Sequence, residues 1–318
     1  MGLSLVAASI RPMQGLKGRD FLRVADWSRE ELTALLDLAD RLKAEQRERI
    51  EHRLLPGRAI GLIFEKPSLR TRVSFEVGIG QLGGIPVHLP GAEIGLGQRE
   101  SIRDMGYVLS RYLDAILIRT FEQSLVEELA EHASIPVVNG LTDSSHPCQA
   151  IADAMTIRER LGRTDGVRVA WLGDGNNVCA SLMVICAKLG MALVAATPEG
   201  YEPSSAAIAA AVAAGGAPEI VRDPRDAIRD ADVLCTDVWT SMGQEAEREQ
   251  RLRDLAGYSI DEEALRLAGA GAIVLHCLPA HIGEEITEEV LYGPQSAAWD
   301  EAENRLHAQK ALLALIVE

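Results

Sequence analysis

Aromatic side chains are scarce, at 4% of 318 residues. No apolar run approaches the roughly 20 residues that a membrane-crossing helix needs, so a membrane partner is not expected. Positive charge is in deficit: 32 Lys and Arg stand against 47 Asp and Glu, a formal net charge of −15. Nucleic acids and anionic membranes both require a positive face, which sets them aside as partners and leaves any anionic small substrate to be met by local arginines. Cysteines number only five, Cys148, Cys179, Cys186, Cys235 and Cys277, without paired spacing. The first twenty residues carry Arg11, Lys17 and Arg19 but no apolar core followed by a cleavage pattern, so no secretory signal is expected. An odd cysteine count without an export signal points to reduced thiols, most of them buried, and to a cytoplasmic location.

What is present is an ordinary globular composition, 47% hydrophobic and 25% charged, in a chain long enough for two domains. The organising stretch is Phe64-Glu65-Lys66-Pro67-Ser68-Leu69-Arg70-Thr71-Arg72. An apolar run, Ala59 to Phe64, reads as a buried strand, and Pro67 breaks it before a helix start. There Ser68 and Thr71 offer hydroxyls and free N–H groups where the helix dipole favours negative charge. Arg70 adds a planar fork of donors matched to phosphate or carboxylate oxygens. The turn is an anion seat, or else a plain N-cap followed by solvated arginines.

Around it the chain alternates. Residues 28–43 form an amphipathic helix opened by a Ser28/Glu31 capping box. The helix begun at the anion turn runs to Gly83-Gly84, and Gly91 to Gly97 reads as a glycine-rich loop. A helix from about Ser101 to Leu113 leads to the strand Asp114–Arg119, and one from Glu122 to His132 leads to Ile135–Val138. Asp143 to Ala150 opens a helix running to Leu161, and Gly162 to Gly166 is a linker. We place the domain boundary in this helix and linker, giving residues 1–150 and 151–300.

The second half continues with strands at Val167–Leu172, Ala192–Ala196, Glu219–Val221, Ala231–Thr236 and a further one ending at Leu275. Helices Val178–Leu189 and Pro203–Ala214 lie between. The fold class is therefore α/β, two doubly wound parallel-sheet domains whose ligands collect at the carboxyl ends of strands. Arg119 falls at such an end. So do the clusters Asp237-Val238-Trp239-Thr240-Ser241-Met242-Gly243 and His276-Cys277-Leu278-Pro279-Ala280-His281, while Asp300 to His307 opens the last helix.

Gly173-x-Gly175 invites a dinucleotide, but Val178 occupies the third glycine position and only a displaced Glu199 follows the second strand. Asn176 and Asn177 could instead offer amides to a ligand. A zinc site from His276, Cys277 and His281 is set aside because adjacent strand residues point to opposite faces and no second ligand pair follows. No metal and no cofactor are expected.

Taken together, four clusters in order resemble the aspartate/ornithine carbamoyltransferase family over nearly all of the chain after residue 18. Ser68-Leu69-Arg70-Thr71-Arg72 resembles its phosphate motif and His146-Pro147-Cys148-Gln149 its second motif. Asp237 to Gly243 and His276-Cys277-Leu278-Pro279 resemble the ornithine branch. The resemblance implies a carbamoyl-phosphate domain at 1–150, rejoined by the final helix 301–318, and an ornithine domain at 151–300, with the active site between them. It also implies a homotrimer, and the substrates carbamoyl phosphate and L-ornithine, in a reaction of arginine metabolism.

By resemblance, Ser68, Leu69, Arg70, Thr71 and Arg119 hold the phosphate. Arg119, His146 and Thr71 surround the carbonyl oxygen, Gln149 and the Leu278 carbonyl receive the NH₂ group, and Arg305 closes the site. Asn177, Asp237, Ser241 and Met242 suit the amino acid. Cys277, as a thiolate near pKa 8.5 or lower beside Arg305, would relieve the substrate amine of its proton.

Three positions depart from the family pattern: Leu69 in place of threonine, Gly95 where a glutamine reaches a neighbouring subunit, with Gln98 a possible substitute, and Ile282 in place of arginine. Rival readings keep the reaction but change the acceptor to N-acetylornithine or putrescine. Others invoke a nucleotide-dependent oxidoreductase or a non-catalytic carbamoyl-phosphate binder.

Overall fold

The computed structural model describes residues 15–241 and 243–318; Met242 and the N-terminal residues 1–14, including Arg11, lie outside the described residues. Ser28 caps the helix α1 (Arg29–Arg47), its hydroxyl taking the Glu31 N–H while the Glu31 carboxylate takes the Ser28 N–H. The elements that follow are β1 (Ala59–Phe64), α2 (Leu69–Gln81), β2 (Ile85–Pro90), the single turn α3 (Gly91–Ile94) and α4 (Ile102–Leu109). Next come β3 (Ala115–Arg119), α5 (Gln123–His132), β4 (Val137–Leu141) and α6 (Pro147–Leu161). The four strands form a parallel sheet in the order β2-β1-β3-β4.

One strand was not read from the sequence. β2 contains Pro86 and Pro90, which speak against a strand interior. It lies at the sheet edge, where the missing N–H groups cost no ladder bond.

The second sheet is built from β5 (Arg168–Leu172), α7 (Asn177–Leu189), β6 (Ala192–Ala196), α8 (Ser205–Ala213), β7 (Glu219–Val221), α9 (Pro224–Ile228) and β8 (Val233–Thr236). It closes with α10 (Arg248–Asp254), α11 (Glu262–Ala268), β9 (Ile273–His276), α12 (Glu288–Leu291) and α13 (Ala298–Ile316). Its order is β7-β6-β5-β8-β9, again all parallel. The fold is thus two α/β units, each with a parallel sheet, as the alternation predicts.

Two helices join them. α6 is buried along nearly its whole length, against β4 and α1 on one side and α7 on the other. α13 packs on α1, α2 and α6. It carries a fully buried Lys310 whose ammonium donates to Gln46 Oε1 at 2.8 Å, Gln81 Oε1 at 2.9 Å and His52 Nε2 at 3.1 Å. Burial pushes this lysine down to about 8, yet every proton it carries has an acceptor. Among the described residues no helix is long and apolar enough to cross a membrane.

Candidate active site

Register places the chemistry. In the first sheet Phe64 pairs with Arg119, so the turn after β1 starts beside the arginine that ends β3. In the second, Leu172 pairs with Thr236 and Thr236 with His276. The residues one step beyond that rung, Asp237 and Cys277, must therefore be neighbours, and Cys277 Sγ donates to Asp237 Oδ1 at 3.0 Å. α6 and α13 then bring the two strand-end clusters to one crevice.

Ser68 caps α2, accepting the Thr71 N–H at 3.3 Å, and the Leu69 side chain points out with 76% of its surface exposed. The buried Thr71 hydroxyl accepts from Arg305 Nη2 at 3.1 Å and from Arg119 Nη1 at 3.4 Å. Arg70 donates across the crevice to the Leu278 carbonyl. None of these three guanidiniums forms an ion pair among the described residues. Burial, then the charges of Arg305 and Arg70, hold Arg119 down to about 10, still a cation at neutral pH.

His146 sits at the N-cap of α6, its backbone N–H on Ser181 Oγ at 2.8 Å. Its Nε2 is 3.4 Å from Arg305 Nη1, and an arginine only donates, so the ring proton belongs on Nδ1. That buried Nδ1 has no partner among the described residues. Burial and the nearby arginines 305, 119 and 70 keep the ring well below the usual histidine range, hence neutral.

Gln149 Oε1 accepts from Arg305, and its Nε2 donates to Asp153 Oδ1 at 2.8 Å and Glu301 Oε1 at 2.6 Å. These two buried acids were not assigned from sequence, although the i,i+4 spacings Gln149–Asp153 and Glu301–Arg305 each place a pair on one helix face. Burial raises Asp153 to about 7, and burial with Asp153 raises Glu301 well above the carboxylate range. A shared proton between them follows from the cost of two like charges in a dry site.

The expected Cys277 thiolate is corrected. Burial first, then the Asp237 and Glu301 carboxylates, push this thiol well above its usual value. Cys277 is a protonated donor to Asp237. Asp237 also accepts from Asn176 Nδ2 at 2.8 Å, and Asn176 Oδ1 caps α7 through Val178 N–H and Cys179 N–H. Asn177 spends its amide N–H on the Thr142 carbonyl at 2.6 Å, tying α7 to the loop after β4. Ser241 N–H goes to Gln244 Oε1 at 3.0 Å, and Met242 lies outside the described residues. The remaining cysteines are buried thiols pushed up by burial, Cys148 to about 12.

Several features read from sequence have internal explanations. A Cβ on Gly175 would lie 2.2 Å from the Pro203 nitrogen, and Gly173 has φ +119° beside the Trp239 indole, so both glycines answer to packing. His276 has both ring nitrogens engaged, one by Leu278 N–H and one by Glu285. Gly95 has φ +61° and ends α3, a conformation a glutamine adopts only under strain. Ile282 is 47% exposed, so its hydrocarbon replaces a charge at a partly solvated position.

Fold and site together define a two-domain α/β protein in which the arginine-bearing strand ends of one sheet meet the Asp237 and Cys277 strand ends of the other. Residues 19–159 match the aspartate/ornithine carbamoyltransferase carbamoyl-P binding domain, and residues 165–316 match the Asp/Orn binding domain of the same family. An ornithine carbamoyltransferase of Symbiobacterium thermophilum is 53% identical across 96% of this chain and 100% of that protein. That of Pyrococcus horikoshii is 50% identical across 95% and 96%. The solved ornithine carbamoyltransferase of Pyrococcus furiosus superposes with a TM-score of 0.92 at 49% identity, covering 95% of this chain and 98% of that one. The chain belongs to the aspartate/ornithine carbamoyltransferase family.

Proposed function

We propose that the crevice transfers the carbamoyl group of carbamoyl phosphate to the δ-amine of L-ornithine, giving L-citrulline and phosphate, a reaction of arginine metabolism. The observation that carries this reading is the convergence of Arg119 and Arg305 on the Thr71 hydroxyl, with Arg70 reaching the Leu278 carbonyl, all three without ion-pair partners among the described residues and close to the Asp237–Cys277 pair. Three clustered cations are stable together when an oxyanion joins them, and carbamoyl phosphate supplies one. The name shared by the relatives supports ornithine as the acceptor.

The Ser68 hydroxyl, the Leu69 and Thr71 backbone N–H groups, Arg70 and Arg119 hold the phosphate. Thr71, Arg119 and the unsatisfied Nδ1–H of His146 surround the carbonyl oxygen, where charge grows as the amine attacks. Removing one such donor typically costs about 10²- to 10³-fold in rate. The second lone pair of Gln149 Oε1 and the Leu278 carbonyl take the carbamoyl NH₂, and Arg305 fixes Gln149, His146 and Thr71 at once.

Asp237, Asn177, Ser241 and Met242 receive the amino acid. The δ-ammonium, with an ordinary pKa of about 10.4, attacks only after losing its proton. The Cys277 thiol does not take that proton; it holds Asp237 in place, and the reactive species is the neutral amine. Attack of the neutral amine on the carbonyl carbon forms the C–N bond, the C–O bond breaks with its electrons leaving on phosphate, and the departing phosphate oxygen takes the proton that the amine nitrogen sheds.

Two further parts of the proposal are a homotrimer and a cytoplasmic location. Leu69, Val73 and Val77, at 76%, 46% and 44% exposure, form an apolar stripe on α2 beside the seat, which supports a second copy covering it. Five unpaired cysteines support a reducing compartment. The test is citrulline-type product formation with ornithine, N-acetylornithine and putrescine side by side. Ornithine should lead in kcat/KM by about 100-fold or more, because buried polar groups left unpaired are costly. A higher kcat/KM with either rival acceptor overturns the assignment.

A further inference from the structure

We propose that the His276–Glu285 pair, buried beneath the Cys277–His281 loop, is the positioning device that holds the Leu278 carbonyl toward Arg70 and the carbamoyl group. The proposal rests on the carbamoyl-transfer reading of the crevice. Neither side chain touches a group assigned to substrate binding other than through the Leu278 backbone, and both are fully buried.

Leu278 has φ +59°, a conformation that a non-glycine residue keeps only when its surroundings hold it. Its own N–H donates to His276 Nδ1 at 2.9 Å, leaving the carbonyl to accept from Arg70. An Nδ1 that accepts carries no proton, so the ring hydrogen is on Nε2, which lies 3.0 Å from Glu285 Oε1. The bond made by one nitrogen selects the tautomer presented by the other.

The same Glu285 oxygen accepts the His281 N–H at 2.6 Å. One carboxylate oxygen therefore anchors both ends of the loop, directly at His281 and through His276 at Leu278. The His276 backbone is fixed in turn by Glu301 Oε2 at 2.8 Å, which links the loop to the Gln149–Asp153–Glu301 network. Glu285 is clamped through its own carbonyl, which takes the Ile260 N–H at 2.9 Å. Its other carboxylate oxygen is buried with no partner among the described residues, so its function resides in Oε1, an atom that glutamine also offers.

The experiment compares the full-length wild type with Glu285→Gln, Glu285→Ala and His276→Asn by ¹⁵N-histidine NMR and by carbamoyl-phosphate kinetics. In wild type and Glu285→Gln, His276 should show a protonated Nε2 and an accepting Nδ1, with kinetic constants within about threefold of each other. Glu285→Ala should lose the single tautomer, raise the carbamoyl-phosphate KM about 10-fold and lower kcat about 10- to 100-fold, with the ornithine KM little changed. If Glu285→Ala fails to fold, His276→Asn decides. It keeps an acceptor near Nδ1 but loses the reach to Glu285, and should show the same KM-against-kcat split in weaker form.

A wild-type His276 protonated at Nδ1, or an alanine variant, or failing that His276→Asn, with wild-type constants, overturns the positioning role. Wild-type protein that forms no product from ornithine overturns the functional reading alone, and the histidine spectrum then still decides whether the pair holds the loop.

Discussion

At the scale of the residue, the crevice is governed by what burial does to charge. Water withdrawn from the arginines and acids alike makes each depend on its neighbours, so Arg119 drops to about 10 while Asp153 rises to about 7. The second shift has a measurable sign. Between the ordinary value near 3.8 and about 7, folded Asp153 binds a proton that the unfolded chain has released, so its contribution to stability falls as pH rises through that window. Asp153→Asn cannot titrate. Its melting temperature, measured against wild type from pH 4 to pH 7, should improve relative to wild type as pH rises. A difference that stays constant with pH would mean that Asp153 is ionised in the folded protein.

Residue types at strand ends singled out the Ser68–Thr71 turn with Arg70, and Arg119, as anion candidates without coordinates, whereas His146 and Asp237 took their expected roles from the family resemblance. The state of Cys277 was not legible. A cysteine placed beside Arg305 reads as an activated thiolate, but its field is set by Asp237 and Glu301, which only folding brings near.

At the scale of the element, the turns after the strands do the positioning. α2 and α7 begin with side-chain caps from Ser68 and Asn176, and each cap sits next to a group that faces the crevice. The turn between β5 and α7 leaves no room for a side chain at Gly175, because the backbone of Glu202 and Pro203 passes against it. Gly175→Ala should therefore cost about 2–3 kcal/mol or more, from overpacking against main chain that cannot yield. A thermal or urea unfolding midpoint equal to that of wild type would show that the turn has slack. Elements with strong periodicity, such as α1 and the apolar strands, were legible. β2 was not, because its prolines carry a local signal against strand that an edge position removes.

At the scale of the whole molecule, two sheets and the helices α6 and α13 convert strand ends far apart in sequence into one crevice. The net charge of −15 works against an anionic substrate, so its attraction has to come from local arginines such as Arg70, Arg119 and Arg305. The exposed stripe on α2 lies beside the seat, and its burial by a second copy is the part of the proposal that concerns assembly. Val73→Asp with Val77→Asp should lower the mass measured by light scattering from an oligomer to a single chain. A wild-type mass for the double variant would show that α2 faces solvent in solution.

The sequence by itself determined the alternation of strand and helix and the two-sheet fold, because these follow from hydrophobic periodicity, and it offered the anion-binding and amine-facing candidates through side-chain chemistry and family resemblance together. Tertiary structure alone decided protonation and aim: the thiol of Cys277, the shared proton of Asp153 and Glu301, the free Nδ1–H of His146 and the direction of the Leu278 carbonyl. Each of these depends on distance and burial, and both are created by parallel register and by the return of α13, quantities that no local stretch of chain contains.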